Sequence, residues 1–273
     1  MFVKGYIVYW FFHLKIIILI FNCYKIFKSV KQKFLTDLNS MPKHIGIVAC
    51  SYEGAALCYQ TICNEGSRLL GEHAHPEISL HNYPLSEYMK YIQTGDWEGV
   101  ADLILLSAEK LFKTGADFLI TPDNTIHQAF SSVIKRSPLP WLHIGEAVAK
   151  IAEKNNFRKP GILGTKFLME GSVYPEILKQ KNISFSIPPK EQRVIINDII
   201  FKELVYGIIK DRSKRIFLNI INELRSEGCD SIVLGCTEIP LIVLPEDSSL
   251  PVLDSTRILA RAALSYSVEN NPD

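Results

Sequence analysis

From Ile45 onward, short apolar runs alternate with longer stretches whose apolar residues recur at helical spacing. Ile45 to Val48 predicts a first strand, Gly54 to Leu70 the helix after it, and Ile78 to His81 a second strand. Val100, Leu103, Leu105, Ala108 and Leu111 predict a helix over Glu98 to Lys113 that delivers the chain to Gly115 and a strand ending at Asp123. The plan then returns, with strands at Gly161 to Gly164 and Ile183 to Ile187 and helices at Tyr174 to Gln180 and Lys214 to Ser226. Strands alternating with helices in this way predict an α/β fold with mainly parallel sheets flanked by helices.

The second half copies the first at a nearly fixed offset. Gly115-Ala116-Asp117 and Gly228-Cys229-Asp230 each open an apolar run, and eight residues after each glycine stands a group able to act as a base, Asp123 or Cys236. Gly46 and Gly161 are 115 residues apart, and Gly115 and Gly228 are 113 apart. Two features repeating at one interval argue for an internal duplication, hence two pseudo-symmetric lobes with a cleft between them. Pro138 and Pro140 mark the change of lobe, and Pro251 to Leu253 a return to the first. The division that follows is 42–139 plus 251–273 for one lobe and 140–250 for the other.

The residues at 1–41 break this pattern. Tyr6 to Phe12 and Ile16 to Phe21 form an aromatic and aliphatic run, followed by Lys25, Lys28, Lys31 and Lys33 with no acidic residue before Asp37. That is the pattern of a membrane anchor with a basic cytoplasmic flank, yet Lys15 in mid-run would cost about 3 kcal/mol at a bilayer centre. The alternative is a start at Met41, which leads straight into the first strand. Under either reading the lobes lie in the cytoplasm, tethered to the inner face of a membrane in the first.

A chain of 273 residues with 47% hydrophobic and 22% charged residues buries a core of one to two domains. Its net charge of +1, without a long run of one sign, gives no footprint for nucleic acid. The six cysteines are not spaced as a secreted disulfide framework and are expected as thiols. Cys58 and Cys63 with His73 and His75 fit no zinc spacing, so no metal is expected.

Ligands of open parallel sheets gather beyond the carboxyl ends of the strands. Cys50-Ser51, Asp123-Asn124-Thr125, Gly164-Thr165-Lys166 and Cys236-Thr237-Glu238 all fall at such ends, which sets four polar loops around one cleft. Removing the proton beside a carboxylate and returning it to the opposite face needs a base on each side of the carbon and donors for the developing enolate. Asp123 and Cys236 are the candidate bases, Asp123 ionised at neutral pH and Cys236 activated as a thiolate by a helix N-terminus or a nearby cation. Ser51, Asn124, Thr125, Thr165 and Thr237 are the candidate substrate contacts, and Lys166 can pair with a second carboxylate. Asp123 also suits a turn-capping role, and His127 a hydrogen bond within its own loop. The scheme requires no cofactor.

The motifs Gly95-Asp96-Trp97, Asp123-Asn124-Thr125-Ile126-His127, Gly164-Thr165-Lys166-Phe167-Leu168-Met169-Glu170 and Leu234-Gly235-Cys236-Thr237-Glu238-Ile239-Pro240-Leu241 resemble those of the aspartate/glutamate racemase family over residues 43–268. The resemblance implies a cofactor-independent amino-acid racemase, a homodimer acting on a small and acidic amino acid, with Cys236 matching one of two catalytic cysteines. The family usually has cysteine where this chain has Asp123, and glycines and a methionine where it has Cys50-Ser51-Tyr52-Glu53-Gly54. Two other expectations stand beside it. One is a one-cysteine superfamily enzyme, a decarboxylase or cis-trans isomerase of small dicarboxylates, and the other a relative that binds ligand without catalysis.

Overall fold

The computed structural model describes residues 41–269 and, ahead of them, Lys28. The expected anchor or false start at 1–41 therefore lies outside the described residues, apart from Lys28 and Met41. Among the described residues no helix is long and apolar enough to cross a membrane.

Strand β1 (Ile45–Ala49) is buried along its whole length, as a strand covered on both faces must be. It is followed by α1 (Tyr52–Leu70), β2 (Ile78–Asn82), α2 (Leu85–Ile92), α3 (Trp97–Lys113), β3 (Phe118–Ile120), α4 (Phe130–Arg136) and α5 (Ile144–Lys154). The second half supplies β4 (Pro160–Leu163), α6 (Lys166–Met169), α7 (Val173–Gln180), α8 (Lys190–Lys202), α9 (Asp211–Ser226), β5 (Ser231–Leu234), β6 (Val252–Asp254) and α10 (Ser255–Val268). Lys43–Val268 forms one compact unit.

The strands make two parallel sheets, in the orders β2-β1-β3 and β4-β5-β6. Single bridges lengthen both, Leu119 to Trp141 in the first and Gly161 to Ser186 in the second. Each sheet thus has four positions in matching order, and the duplication legible in the sequence is a duplication of structure. The strand expected over Ile183 to Ile187 is reduced to that bridge at Ser186, because Pro188 and Pro189 follow at once and lack the N–H that further pairing needs.

The repeated Gly-x-Asp turns have a structural cause. Gly115 (φ 89°) and Gly228 (φ 90°) sit in the left-handed region just beyond α3 and α9, where a side chain would be strained. Two residues on, Asp117 accepts the His44 N–H at 2.6 Å and Asp230 accepts the Lys159 N–H at 3.0 Å. Each aspartate thereby ties the start of its own strand to the start of the neighbouring one.

Each lobe also lends a helix to the other. After the Trp141 bridge of the first sheet, α5 places Val148, Ala149 and Ala152 against Ile162, Val233 and Leu253 of the second. In return, α10 packs Leu259, Ala260, Ala263 and Leu264 against Ile45, Ile47, Phe118 and Ile120 of the first. The return expected at Pro251 comes one strand later, because β6 stays paired with β5 and only α10 crosses. Each large aliphatic side chain so buried contributes roughly 1.5–3 kcal/mol, so parting the lobes would expose two cores at once.

Candidate active site

In both sheets the chain leaves its first strand for one side and returns on the other, so the loops after β1 and β3, and after β4 and β5, diverge at a switch of direction. Ligand crevices of open α/β sheets form at such switches. Cys50-Ser51 and Asp123-Asn124-Thr125 occupy the first, and Gly164-Thr165 and Cys236-Thr237-Glu238 the second.

Two hydroxyl pairs join these loops across the lobes. Ser51 caps α1 by accepting the Gly54 N–H, and its Oγ lies 3.1 Å from Thr237 Oγ1. Thr165 caps α6 through the Leu168 N–H, and its Oγ1 lies 2.9 Å from Thr125 Oγ1. Each pair links a helix-capping hydroxyl of one lobe to the loop carrying Asp123 or Cys236 in the other. The approach is close enough that a Cβ on Gly54 would stand 2.1 Å from Thr237 Cγ2.

Asn124 is held from both ends. Tyr174 donates its hydroxyl to Asn124 Oδ1 at 2.7 Å, while Asn124 Nδ2 donates to Ser255 Oγ at 2.9 Å. Ser255 in turn donates to the Leu234 carbonyl at 2.8 Å, two residues before Cys236. This buried chain fixes the Asp123 loop against the Cys236 loop, and sequence reasoning found neither Tyr174 nor Ser255. The Gly228-to-Cys236 spacing pointed to Asp123 and Cys236 as candidates, whereas no local pattern announces a tyrosine arriving from α7.

Asp123 is half-buried, and its Oδ1 accepts the Ile126 N–H at 3.1 Å, the turn-capping contact expected of it. Burial raises its pKa to about 6; the Glu238 charge adds to the rise, while the N–H groups of Ile126 and Thr125 and the Cys50 thiol oppose it. His127 is committed elsewhere. Its Nε2 accepts the Ile144 N–H at 3.2 Å, so the ring proton sits on Nδ1 and is donated to the Asp123 carbonyl at 2.7 Å. Burial and neighbouring His143 hold it far below the usual histidine range.

Cys236 is buried and donates its thiol hydrogen to Glu238 Oε2 at 2.8 Å. Burial, then the Glu238 charge and that hydrogen bond, push its pKa well above the ordinary thiol range. The expectation of a resting thiolate is therefore corrected. The loop enters a short 3-10 turn, Ile239–Leu241, rather than a long helix, and its charged neighbours are the carboxylates of Glu238 and Asp123. Cys236 rests as an acid. Lys166 is exposed, with Nζ 4.9 Å from the centre of the Phe167 ring, while the other candidate contacts, Ser51, Asn124, Thr125, Thr165 and Thr237, are all buried together where the loops meet.

Polar loops meeting at the switch points of a duplicated α/β fold narrow the family, and one match decides it. The family model described as Asp/Glu/Hydantoin racemase spans residues 47–263. The chain belongs to the Asp/Glu/Hydantoin racemase family. It is 25% identical over 191 residues to the broad specificity amino-acid racemase RacX of Bacillus subtilis, covering 70% of this chain and 82% of that one. Among solved structures it resembles a candidate Asp/Glu racemase from Yersinia pestis, with 31% identity, a TM-score of 0.77 and coverage of 83% of this chain and 100% of the other. An aspartate racemase homologue from Pyrococcus horikoshii matches with the same identity and coverage and a TM-score of 0.71.

Proposed function

We propose that the protein is an amino-acid racemase that works without a cofactor, with Asp123 and Cys236 exchanging the α-proton from opposite faces of the substrate. The observation that carries this reading is the convergence of the two base-bearing loops, one from each lobe, bound together by the Ser51–Thr237 and Thr125–Thr165 hydroxyl pairs.

With a pKa of about 6, Asp123 is largely ionised at pH 7 and is the resting base, while Cys236 carries the proton to be given. The Cα–H bond breaks, its electron pair stays on the substrate as an enolate, and the proton passes to Asp123. A new Cα–H bond then forms on the opposite face with the Cys236 proton, leaving a thiolate and a protonated Asp123. The other enantiomer runs the same steps in reverse, and after net conversion of one enantiomer Asp123 gives its proton to solvent and the Cys236 thiolate takes one up, which restores the resting form. Asn124, Thr125, Thr165 and Thr237, with nearby backbone N–H groups, are suited to hold the α-carboxylate and the enolate charge. The substrate ammonium, set beside Glu238, would offset the charge that holds the Cys236 proton and so ease its release.

A substrate with a second carboxylate needs a cation. Lys166 supplies one if its flexible side chain turns from the Phe167 ring toward the cleft. A screen of single amino-acid enantiomers in D2O, read by proton NMR and chiral chromatography, tests the activity: inversion with α-deuterium uptake is expected, and neither with any amino acid would overturn it.

One observation favours a second reading, a one-thiol decarboxylase or cis-trans isomerase of small dicarboxylates: the group opposed to Cys236 is a carboxylate. Loss of maleate or release of CO2 from a malonate would support that reading. A cytoplasmic setting is part of the proposal, supported by the free thiols of Cys50, Cys58, Cys63, Cys229 and Cys236. So is a homodimer, supported by exposed apolar side chains such as Tyr206 and Ile209 and tested by sedimentation.

A further inference from the structure

His127 is 4% exposed, and its two ring nitrogens face opposite ways. Nδ1–H donates to the Asp123 carbonyl at 2.7 Å, and Nε2 accepts the Ile144 N–H at 3.2 Å. Phe130 stacks on the ring with centroids 4.8 Å apart, and His143 meets it edge-on at 4.5 Å. The Ile144 N–H is the first of α5, one of the donors that a helix start leaves without a partner inside the helix. His143 serves the next, its Nδ1 accepting the Gly145 N–H at 3.0 Å. A side chain rooted beside Asp123 therefore ends on the helix that crosses into the second lobe.

We infer that His127 is a positioning residue for the proposed racemase reaction, a strut that holds Asp123 at a fixed place relative to the lobe carrying Cys236. Its catalytic meaning rests on the racemase reading, while the bridge from Asp123 to α5 stands without it.

The path from one base to the other is continuous. Beyond Ile144, α5 buries Val148, Ala149 and Ala152 against Ile162, Val233 and Leu253. Val233 lies on β5, which ends at Leu234, two residues before Cys236. Close-packed cores transmit position because a shift forfeits contacts on one side and forces overlap on the other. A neutral imidazole suits the strut, since it places a donor and an acceptor on one rigid plane. A protonated ring would turn a donor toward the Ile144 N–H, and burial with the neighbouring His143 keeps the ring neutral by holding its pKa well below the usual range. A reacting group displaced by about 1 Å can cost on the order of 100-fold in rate, so a strut of this kind bears directly on turnover.

The test compares the full-length protein with His127→Phe, which keeps an aromatic ring and removes both hydrogen bonds, and with His127→Gln, whose amide can donate to Asp123 and accept from Ile144. In His127→Phe kcat should fall about tenfold or more while KM changes less than about threefold. Substrates deuterated at Cα give the reading that a general loss of structure would not. The isotope effect on kcat/KM should rise for the enantiomer that stops exchanging in Asp123→Ala and fall for the other, because only the Asp123 step has been slowed. His127→Gln should return the rate and both isotope effects toward the native values. Nitrogen-15 NMR of the native protein, which needs no variant, should show the ring protonated at Nδ1 and free at Nε2 at pH 7. Isotope effects that move alike for both enantiomers, a glutamine no better than phenylalanine, or a ring protonated at Nε2 would overturn the inference. If no amino acid is inverted, the racemase reading fails and the positioning role with it, while the ring tautomer still decides whether His127 bridges Asp123 to α5.

Discussion

Asp123→Asn should make the protein more stable while removing its activity. The carboxyl has a pKa of about 6 in the folded chain against an ordinary 3.8. Because the folded state holds the proton more tightly, folding is favoured most at low pH, and that advantage disappears as pH rises from about 4 to about 6. A shift of roughly two units corresponds to about 3 kcal/mol, and solvent screening of the half-buried group trims this to about 2–3 kcal/mol at pH 7. Asparagine cannot ionise, yet its Oδ1 still accepts the Ile126 N–H that Asp123 holds at 3.1 Å. Urea unfolding at pH 4, 5, 6 and 7 should show the variant matching the native protein at pH 4 and exceeding it by about 2–3 kcal/mol at pH 7. Racemisation should fall at least 100-fold, within the range of about 10²–10⁴ expected for a lost acid–base group. A variant equal to or weaker than the native protein at pH 7, or a gap independent of pH, would refute the reasoning.

Glu238→Gln should move the acid limb of the pH–rate profile downward from about 6, since the Glu238 charge adds to burial, the larger cause, in raising the Asp123 pKa; a profile measured from pH 4 to 9 checks this, and an unmoved limb would count against it. Tyr174→Phe leaves the buried Asn124 Oδ1 without its donor, which should cost about 1–3 kcal/mol by urea unfolding and lower kcat/KM as the Asp123 loop loosens. Lys166→Ala should raise KM for aspartate and glutamate by about tenfold while leaving neutral amino acids unchanged, and steady-state kinetics on both classes would show it.

Much of the fold was legible because the duplication is written in turns with obligatory chemistry. Gly115 and Gly228 are needed for a positive φ, and Asp117 and Asp230 for a strand-start hydrogen bond, so the repeat survives wherever the fold does. The alternation of apolar runs likewise located β1, β2, β4 and the helices α1, α3, α7 and α9 within a few residues. What stayed hidden depends on partners distant in sequence. Trp141 adds a strand position just after the prolines that read as the change of lobe, and the exchange of α5 and α10 shows only when both cores are seen together. In the site, Asp123 and Cys236 were singled out as candidates by spacing and motif. The protonated state of Cys236 was not, because it follows from Glu238 folding back on the thiol, a contact that sequence proximity suggests without fixing its direction. Tyr174 and Ser255 reach Asn124 across 50 and 131 residues.

The central claim is that Asp123 and Cys236 work on opposite faces of one α-carbon. Its most direct test is α-deuterium uptake by each enantiomer of a racemised amino acid in D2O, compared among the native protein, Asp123→Ala and Cys236→Ala. The native protein should invert both enantiomers, and each variant should lose inversion while retaining slow exchange of one enantiomer, a different one in each. Exchange of the same enantiomer by both variants, or inversion that survives either substitution, would contradict the claim.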